Sequence, residues 1–170
     1  MSKLIEKVTE HLIENFKGIT RWDKSVPYHT HPLEVSRIAE SIMGDYINNY
    51  ENWDKENKKS YLLVVQIVAL WHDHAEDLEK YFNNIPLLIE ELKEMDTDKE
   101  LAFNDYIKIG HALHNLNKNN YDNYRDFVIT ARSYNISRIV KIADIKHNLS
   151  DLKKGSLKDK YLLALHILEN

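Results

Sequence analysis

The chain has 170 residues, of which 43% are hydrophobic and 29% charged, and its formal net charge is -4. This length fits one domain over residues 1–170 with one hydrophobic core, and the acidic balance argues against a general nucleic-acid or anionic-membrane binder. The absence of cysteine excludes disulfides, thiolate metal sites and cysteine nucleophiles. The chain shows neither a signal-peptide core nor a hydrophobic stretch of about 18 residues, so we expect a cytoplasmic protein that does not span a membrane.

Hydrophobic residues recur at helical spacing from the start of the chain. The first two stripes comprise Leu4, Val8, Leu12 and Phe16, and then Val35, Ile38, Ile42, Met43, Tyr46 and Ile47. The segment between them, from Gly18 to Pro32, contains two of the three prolines and is expected to be irregular. Residues 60–74 are hydrophobic nearly all round, which predicts a central buried helix.

Five further helices are predicted at about 86–95, 98–116, 121–133, 136–151 and 157–169. Their expected starts include Ser137, Ser156 and the stretch Asp96–Asp98, because short polar side chains cap helix amino ends. No segment shows the alternation of a strand. The sequence therefore predicts an all-α single domain, a compact bundle of about seven to nine helices.

A cluster of ionisable residues follows the most hydrophobic segment, which ends at Leu70. Its members are His72, Asp73, His74, Glu76 and Asp77. A solvated helix end is one explanation, since the helix dipole favours histidine there. The same dipole disfavours three acidic side chains, and a bound cation would compensate for them. Both explanations stay open from this cluster alone, and the metal site is favoured.

Two remote segments offer further ligands. His31 precedes Pro32 at the expected start of the second helix, where proline suits the first turn. Asp144 stands inside a hydrophobic run, and an aspartate among such neighbours is costly to bury unless it is paired or metal-bound. We therefore expect the metal-free protein to gain stability if Asp144 is neutralised.

Three segments, in this order, resemble the metal-dependent phosphohydrolases of the HD superfamily, and within it the hydrolase domain of the RelA/SpoT alarmone enzymes. PYHTHPLEVS at 27–36 is similar to PYxxHPxxVA, LWHDHAED at 70–77 to LLHDxxED, and KIADIKHN at 141–148 to KLADRxHN. The resemblance spans roughly residues 17–153. It implies an HD-domain helical bundle, similar to the small members that hydrolyse the alarmone but do not make it.

The resemblance also implies a metal centre and an acid pair. One divalent ion would be bound, Mn²⁺ in the similar enzymes, with Fe, Co, Ni or Zn as alternatives. Its implied ligands are His31, His72, Asp73 and Asp144. Glu76 and Asp77 match the pair that positions and activates the attacking water. The implied reaction removes the 3′-pyrophosphate of guanosine 3′,5′-bis(diphosphate) or its 5′-triphosphate analogue, giving GDP or GTP and pyrophosphate.

Substrate recognition rests on fewer matches. Asn148 matches a nucleotide-contacting asparagine, and His147 stands where the family often has a histidine that supports the site. The basic segment before PYxxHP differs from the family pattern, so either Arg21 or Lys24 would take its role.

Residues 116–132 resemble a stretch of small HD proteins in which a basic residue and a tyrosine precede the last site helix, so Tyr124 could contact a phosphate; a solvated loop followed by a surface helix is the alternative. Lys141 could face either the cleft or solvent. Asp151 stands where the family often has threonine. The departures at Asp151 and in the basic segment concern base and ribose recognition and leave the metal ligands intact.

Two other functions remain open. One is a nucleotidase or dNTP phosphohydrolase of the broader HD superfamily. The other is a catalytically silent module that binds a nucleotide, which the intact pair Glu76 and Asp77 disfavours. In each case the expected partner is a small-molecule nucleotide and not a nucleic acid or a membrane, and a homo-oligomer is compatible with the sequence.

Overall fold

The computed structural model describes residues 2–21, 25–48, 54–152 and 155–170. Within these ranges the chain forms nine α-helices and two 3₁₀ turns and no strand beyond an isolated bridge between Thr20 and Pro27. The helices are α1 (Lys3–Asn15), α2 (Thr30–Asn48), α3 (Lys55–Trp71), α4 (His74–Asp77), α5 (Ile85–Met95), α6 (Phe103–Leu116), α7 (Tyr124–Arg132), α8 (Asn135–Asp151) and α9 (Ser156–Glu169). The prediction of an all-α bundle is confirmed.

Helix α3 is the central element, as its hydrophobic composition predicts. It begins after Asp54, whose carboxylate accepts a hydrogen bond from the Asn57 amide at 2.8 Å. Most side chains from Leu63 to Trp71 are buried, and the helix packs against α1, α2, α6 and α8. It ends at Trp71, three residues before the predicted end. A turn follows, and then the short helix α4.

Helix α6 begins at Phe103 and not near residue 98. The reason is Asp96, whose buried carboxylate accepts hydrogen bonds from the amides of Glu100 and Leu101, at 2.7 and 3.1 Å. The Tyr106 hydroxyl donates to the same carboxylate at 2.7 Å. The Asp96 side chain therefore holds a loop in place and does not cap the amino end of α6, since it bonds backbone amides outside that helix.

The starts of α8 and α9 illustrate one wrong and one correct prediction. Ser137 lies inside α8, which begins at Asn135, and its buried hydroxyl donates to the Ala112 carbonyl at 3.3 Å. Ser156 is the first residue of α9. Before it, Gly155 has a φ of 124°, a conformation that glycine adopts without steric cost.

The arrangement of five helices determines where a site can form. Helix α2 packs along α3 and α8, so that the three segments of the predicted site lie on neighbouring elements. Helices α7 and α9 pack against each other and against α8, next to these segments. Among the described helices, none has the length and hydrophobicity needed to cross a membrane.

Candidate metal centre

Three buried side chains from distant parts of the chain meet at one point. His31 lies in the first turn of α2, His72 follows α3, and Asp144 lies in the middle of α8. One ligand atom from each lies within 4.8 Å of the other two. Asp144 Oδ1 is 3.2 Å from His31 Nε2 and 3.9 Å from His72 Nε2. This group could hold a metal ion.

Asp73 brings a fourth side chain to the same point. Its Oδ2 atom is 3.2 Å from His72 Nε2 and 3.6 Å from His31 Nε2. Asp73 can reach the group because it lies in the turn between α3 and α4 and not on a continuous helix. Two imidazoles and two carboxylates form a mixed nitrogen and oxygen donor set, of the kind that binds divalent metal ions.

The hydrogen bond of His72 tests whether a cation fits here. Its Nδ1 atom lies 2.8 Å from the Ala69 carbonyl, which can only accept, so Nδ1 carries a hydrogen. The Nε2 atom is buried without a hydrogen-bond partner and is therefore the ring nitrogen left to bind a cation. Carboxylate oxygens of Asp73 and Asp144 lie 3.2 and 3.9 Å from it. A metal ion bound by Nε2 and these oxygens would satisfy all of them, so the donor set fits a metal ion.

His147 orients His31 from behind. The two Nδ1 atoms are 2.7 Å apart, so one ring donates to the other. Burial lowers the pKa of His147, and the neighbouring His31 and Arg21 lower it further, which favours neutral His147. If His31 bound a metal, its Nδ1 would donate to His147, an arrangement that fixes the ring of a metal ligand.

Asp144 is held by two neighbours on its own helix. Lys141 Nζ lies 2.8 Å from Oδ2, and Asn148 donates from Nδ2 to Oδ1 at 2.6 Å. Burial alone would raise the pKa of Asp144, but Lys141 and the hydrogen bond with His31 hold it well below its usual value. Asp144 is therefore an ionised carboxylate, as a metal ligand must be. Lys141 faces the cavity and not solvent.

The acids Glu76 and Asp77 lie beside this group, on α4. Lys118 binds Glu76 through both its ammonium group and its main-chain amide. The Tyr28 hydroxyl is 2.6 Å from Asp77 Oδ2 and 2.7 Å from Asp73 Oδ2, so the two carboxylates share one donor. Burial raises the pKa of Glu76 and of Asp77, and the charge of Asp73 contributes to both shifts.

The four candidate ligands and the two acids line one cavity of about 480 Å³, which has the size of typical small-molecule sites. Every predicted site residue that the structure describes lines it: Arg21, His31, His72, Asp73, Glu76, Asp77, Tyr124, Lys141, Asp144 and Asn148. Lys24 lies outside the described residues. The sequence therefore predicts the wall of one cavity from segments more than a hundred residues apart.

Arg21 contacts the residues with which it is predicted to share substrate binding. Its Nη2 atom is 3.3 Å from Asn148 Oδ1 and 3.3 Å from Asp151 Oδ2, and only 8% of its side chain is exposed. Asp151, which departs from the family pattern, is thus a partner of the basic residue that precedes PYxxHP. The two departures lie together in space.

Several residues that line the cavity are not predicted from the sequence as site residues. Tyr28 belongs to the PYxxHP segment, but only the fold shows that its hydroxyl reaches Asp73 and Asp77. Lys160 and Tyr161, on α9, lie beyond the resemblance and line the cavity all the same. The sequence carries no spacing signal for them.

His74 behaves differently from its neighbours in the cluster. It is completely buried against Phe16, Trp71 and Tyr81, and neither ring nitrogen has a hydrogen-bond partner. Burial lowers its pKa well below the usual value. His74 is therefore a neutral core residue and not a further metal ligand.

No family model matches the chain, and the search of curated proteins finds no similar sequence. Membership of the HD superfamily thus stays a prediction, based on the three segments. The geometry stands independently of it.

Proposed function

We propose that this protein is a metal-dependent phosphohydrolase that removes the 3′-pyrophosphate of guanosine 3′,5′-bis(diphosphate). The observation that carries the proposal is the buried group of His31, His72 and Asp144 beside the acids Glu76 and Asp77, in one cavity of nucleotide size. The resemblance of the three segments supports the choice of substrate.

The four ligands define what the metal contributes. A divalent ion bound by His31, His72, Asp73 and Asp144 would polarise a phosphoryl oxygen and lower the pKa of a water molecule. Two imidazole and two carboxylate donors do not fill a six-coordinate shell, which leaves space for water and a phosphate oxygen.

Glu76 is the proposed proton acceptor. Its burial raises the pKa towards neutrality, which suits a general base. Lys118 holds the carboxylate in the absence of substrate. A bound phosphate competes for this ammonium group and frees Glu76 to accept the proton of the attacking water.

The reaction needs no covalent intermediate. The oxygen of water attacks the phosphorus that is bonded to the ribose 3′-oxygen, and the bond between that phosphorus and the 3′-oxygen breaks. The 3′-oxygen leaves and takes up a proton, giving GDP and pyrophosphate. Lys118 and Lys141 line the cavity and offset the negative charge of the phosphates.

A second candidate is a nucleotidase or dNTP phosphohydrolase with the same metal chemistry. It is favoured by Arg21, which contacts Asn148 and Asp151 and is therefore not free to bind guanine without rearrangement. The silent module remains the third candidate.

Product identification in the presence of Mn²⁺ tests these functions. The substrates to compare are guanosine 3′,5′-bis(diphosphate), its 5′-triphosphate analogue, dNTPs and nucleoside monophosphates, with the Asp73→Ala variant as a control for contaminating hydrolases. GDP and pyrophosphate from the first substrate are expected. Turnover of dNTPs or monophosphates alone would reject this substrate and keep the metal chemistry. Absence of turnover in the metal-loaded protein would support the silent module.

A further inference from the structure

Lys160 differs from the other cations of the cavity wall. Three of these contact a carboxylate: Arg21 with Asp151, Lys118 with Glu76, and Lys141 with Asp144. Throughout the described residues, Lys160 has no ion pair and no side-chain hydrogen bond. Its Nζ atom instead lies 3.7 Å from the centre of the Tyr124 ring. Lys160 thus contributes a positive charge that forms no ion pair with an acidic side chain of the described residues.

The hydroxyl of Tyr124 also lacks a partner. It is buried, it makes no hydrogen bond, and its residue lines the cavity. A buried hydroxyl without a partner costs stability, so a ligand that accepts its hydrogen bond is favoured. Burial raises the pKa of Tyr124 to about 12, and the hydroxyl therefore remains a donor at neutral pH.

The two groups lie on α7 and α9, which carry none of the metal ligands and pack against α8, the helix of Asp144. These helices pack against each other, and Tyr161 extends the same wall. An ammonium group and a hydroxyl donor together match the oxygens of a phosphate.

We propose that Lys160 and Tyr124 form a phosphate subsite, distinct from the metal group, that binds the 5′-phosphates of the nucleotide. The inference rests on the proposed function for the identity of the nucleotide. The 3′-pyrophosphate lies at the metal, beside Lys118 and Lys141, and the 5′-phosphates extend towards α9. The cavity then selects nucleotides that carry phosphates at both positions.

A comparison of GDP and guanosine binding to the full-length, metal-free protein tests this subsite. The two probes differ only in the 5′-phosphates, so the ratio of their dissociation constants, measured by isothermal titration calorimetry, gives the phosphate contribution. Wild type is expected to bind GDP at least tenfold more tightly than guanosine. Lys160→Met and Tyr124→Phe should each reduce this ratio about tenfold, the lower end of the range expected for a lost hydrogen bond to a charged group.

Lys158→Met is the matched control, because Lys158 lies on α9 and does not line the cavity. It should leave the ratio unchanged, and guanosine binding should be equal in all variants if they fold alike. An unchanged ratio in Lys160→Met, an equal loss in Lys158→Met, or a wild type that binds no GDP at millimolar concentration would each overturn the subsite.

The turnover assay separates this inference from the proposed function. Hydrolysis of guanosine 3′,5′-bis(diphosphate) with an unchanged ratio in Lys160→Met would reject the subsite and keep the function. A reduced ratio without hydrolysis of any substrate would keep the subsite and reject the function.

Discussion

His72 donates a hydrogen bond from Nδ1 to the main-chain carbonyl of Ala69, over 2.8 Å. This carbonyl belongs to the last turn of α3, where the helix leaves its carbonyl groups without helical partners. The end of the helix thus fixes the tautomer of His72 and directs Nε2 towards Asp73 and Asp144. The ionisable cluster follows the most hydrophobic helix because that helix end is one wall of the candidate metal centre.

Replacement of Glu76 by glutamine should separate catalysis from metal binding. Glutamine keeps the shape of the side chain and a partner for Lys118 but accepts no proton. We expect turnover to fall by a factor of about 100 or more, the usual contribution of a general base, while Mn²⁺ binding is retained because Glu76 is not one of the four ligands. Steady-state kinetics and metal titration measure the two effects. Full turnover in Glu76→Gln would remove Glu76 from the mechanism.

Tyr28→Phe tests the shared hydrogen bond to Asp73 and Asp77. The ring packs against Phe16, with centroids 4.6 Å apart, and phenylalanine preserves that contact. Loss of the hydroxyl frees both carboxylates, and we expect a decrease of about 10- to 100-fold in Mn²⁺ affinity or in turnover. Unchanged values for both would show that Tyr28 has a packing role only.

Neutralisation of Asp144 should destabilise the metal-free protein, contrary to the expectation from sequence alone. That expectation treats Asp144 as an unpaired buried charge, whereas Lys141 Nζ lies 2.8 Å from its carboxylate. Asp144→Asn leaves the Lys141 charge without a partner and should cost about 3 kcal/mol of unfolding free energy.

The double variant Asp144→Asn, Lys141→Met provides the control for this prediction. It removes both charges and should recover most of the loss, because replacement of a buried ion pair by neutral side chains is often nearly neutral in stability. Urea unfolding of the wild type, the two single variants Asp144→Asn and Lys141→Met, and the double variant gives the coupling energy. If the losses of unfolding free energy in the two single variants added up in the double variant, the ion pair of Asp144 and Lys141 would be contradicted.

Asp105 provides a pH-dependent test away from the site. Burial alone would raise its pKa, but Lys108, the Ala102 amide and the Ser60 hydroxyl together lower it. Because the pKa of Asp105 is lower in the folded state, the ionised carboxylate stabilises the fold. This stabilisation is complete above the ordinary pKa of 3.8 and is lost as the pH falls through the lowered pKa.

Asp105→Asn measures this contribution. The variant should lower the unfolding free energy by about 2 kcal/mol at pH 7. The difference from wild type should shrink as the pH falls from about 4 towards 2, since the wild-type carboxylate is then protonated as well. Urea unfolding over this range checks the trend. A difference that does not depend on pH would mean that Asp105 acts through packing.

The helices were predictable because hydrophobic spacing records which face is buried, as at Leu4, Val8 and Leu12. The ends of the helices were less predictable, because a polar side chain can form a hydrogen bond with any of several groups near it. Asp96 bonds loop amides and Ser137 bonds a neighbouring helix, and neither choice is visible in the sequence.

The candidate site also has parts that the sequence predicts and parts that it does not. His31, His72 and Asp144 were predictable from segments with recognisable spacing, and the fold brings them together. The contact between Lys118 and Glu76 and the approach of Lys160 to Tyr124 depend on how loops and helices pack. Such contacts join residues that no local pattern relates.

Titration of the metal-free protein with Mn²⁺, followed by the electron paramagnetic resonance signal of the free ion, tests the central claim most directly. Wild type and His72→Asn are compared, with His166→Gln as a control for an exposed histidine, and circular dichroism checks that all three fold. We predict one tightly bound ion in wild type and in His166→Gln, and an affinity at least about 100-fold weaker in His72→Asn. Binding of equal strength in His72→Asn, or no binding by the wild type, would contradict the metal centre.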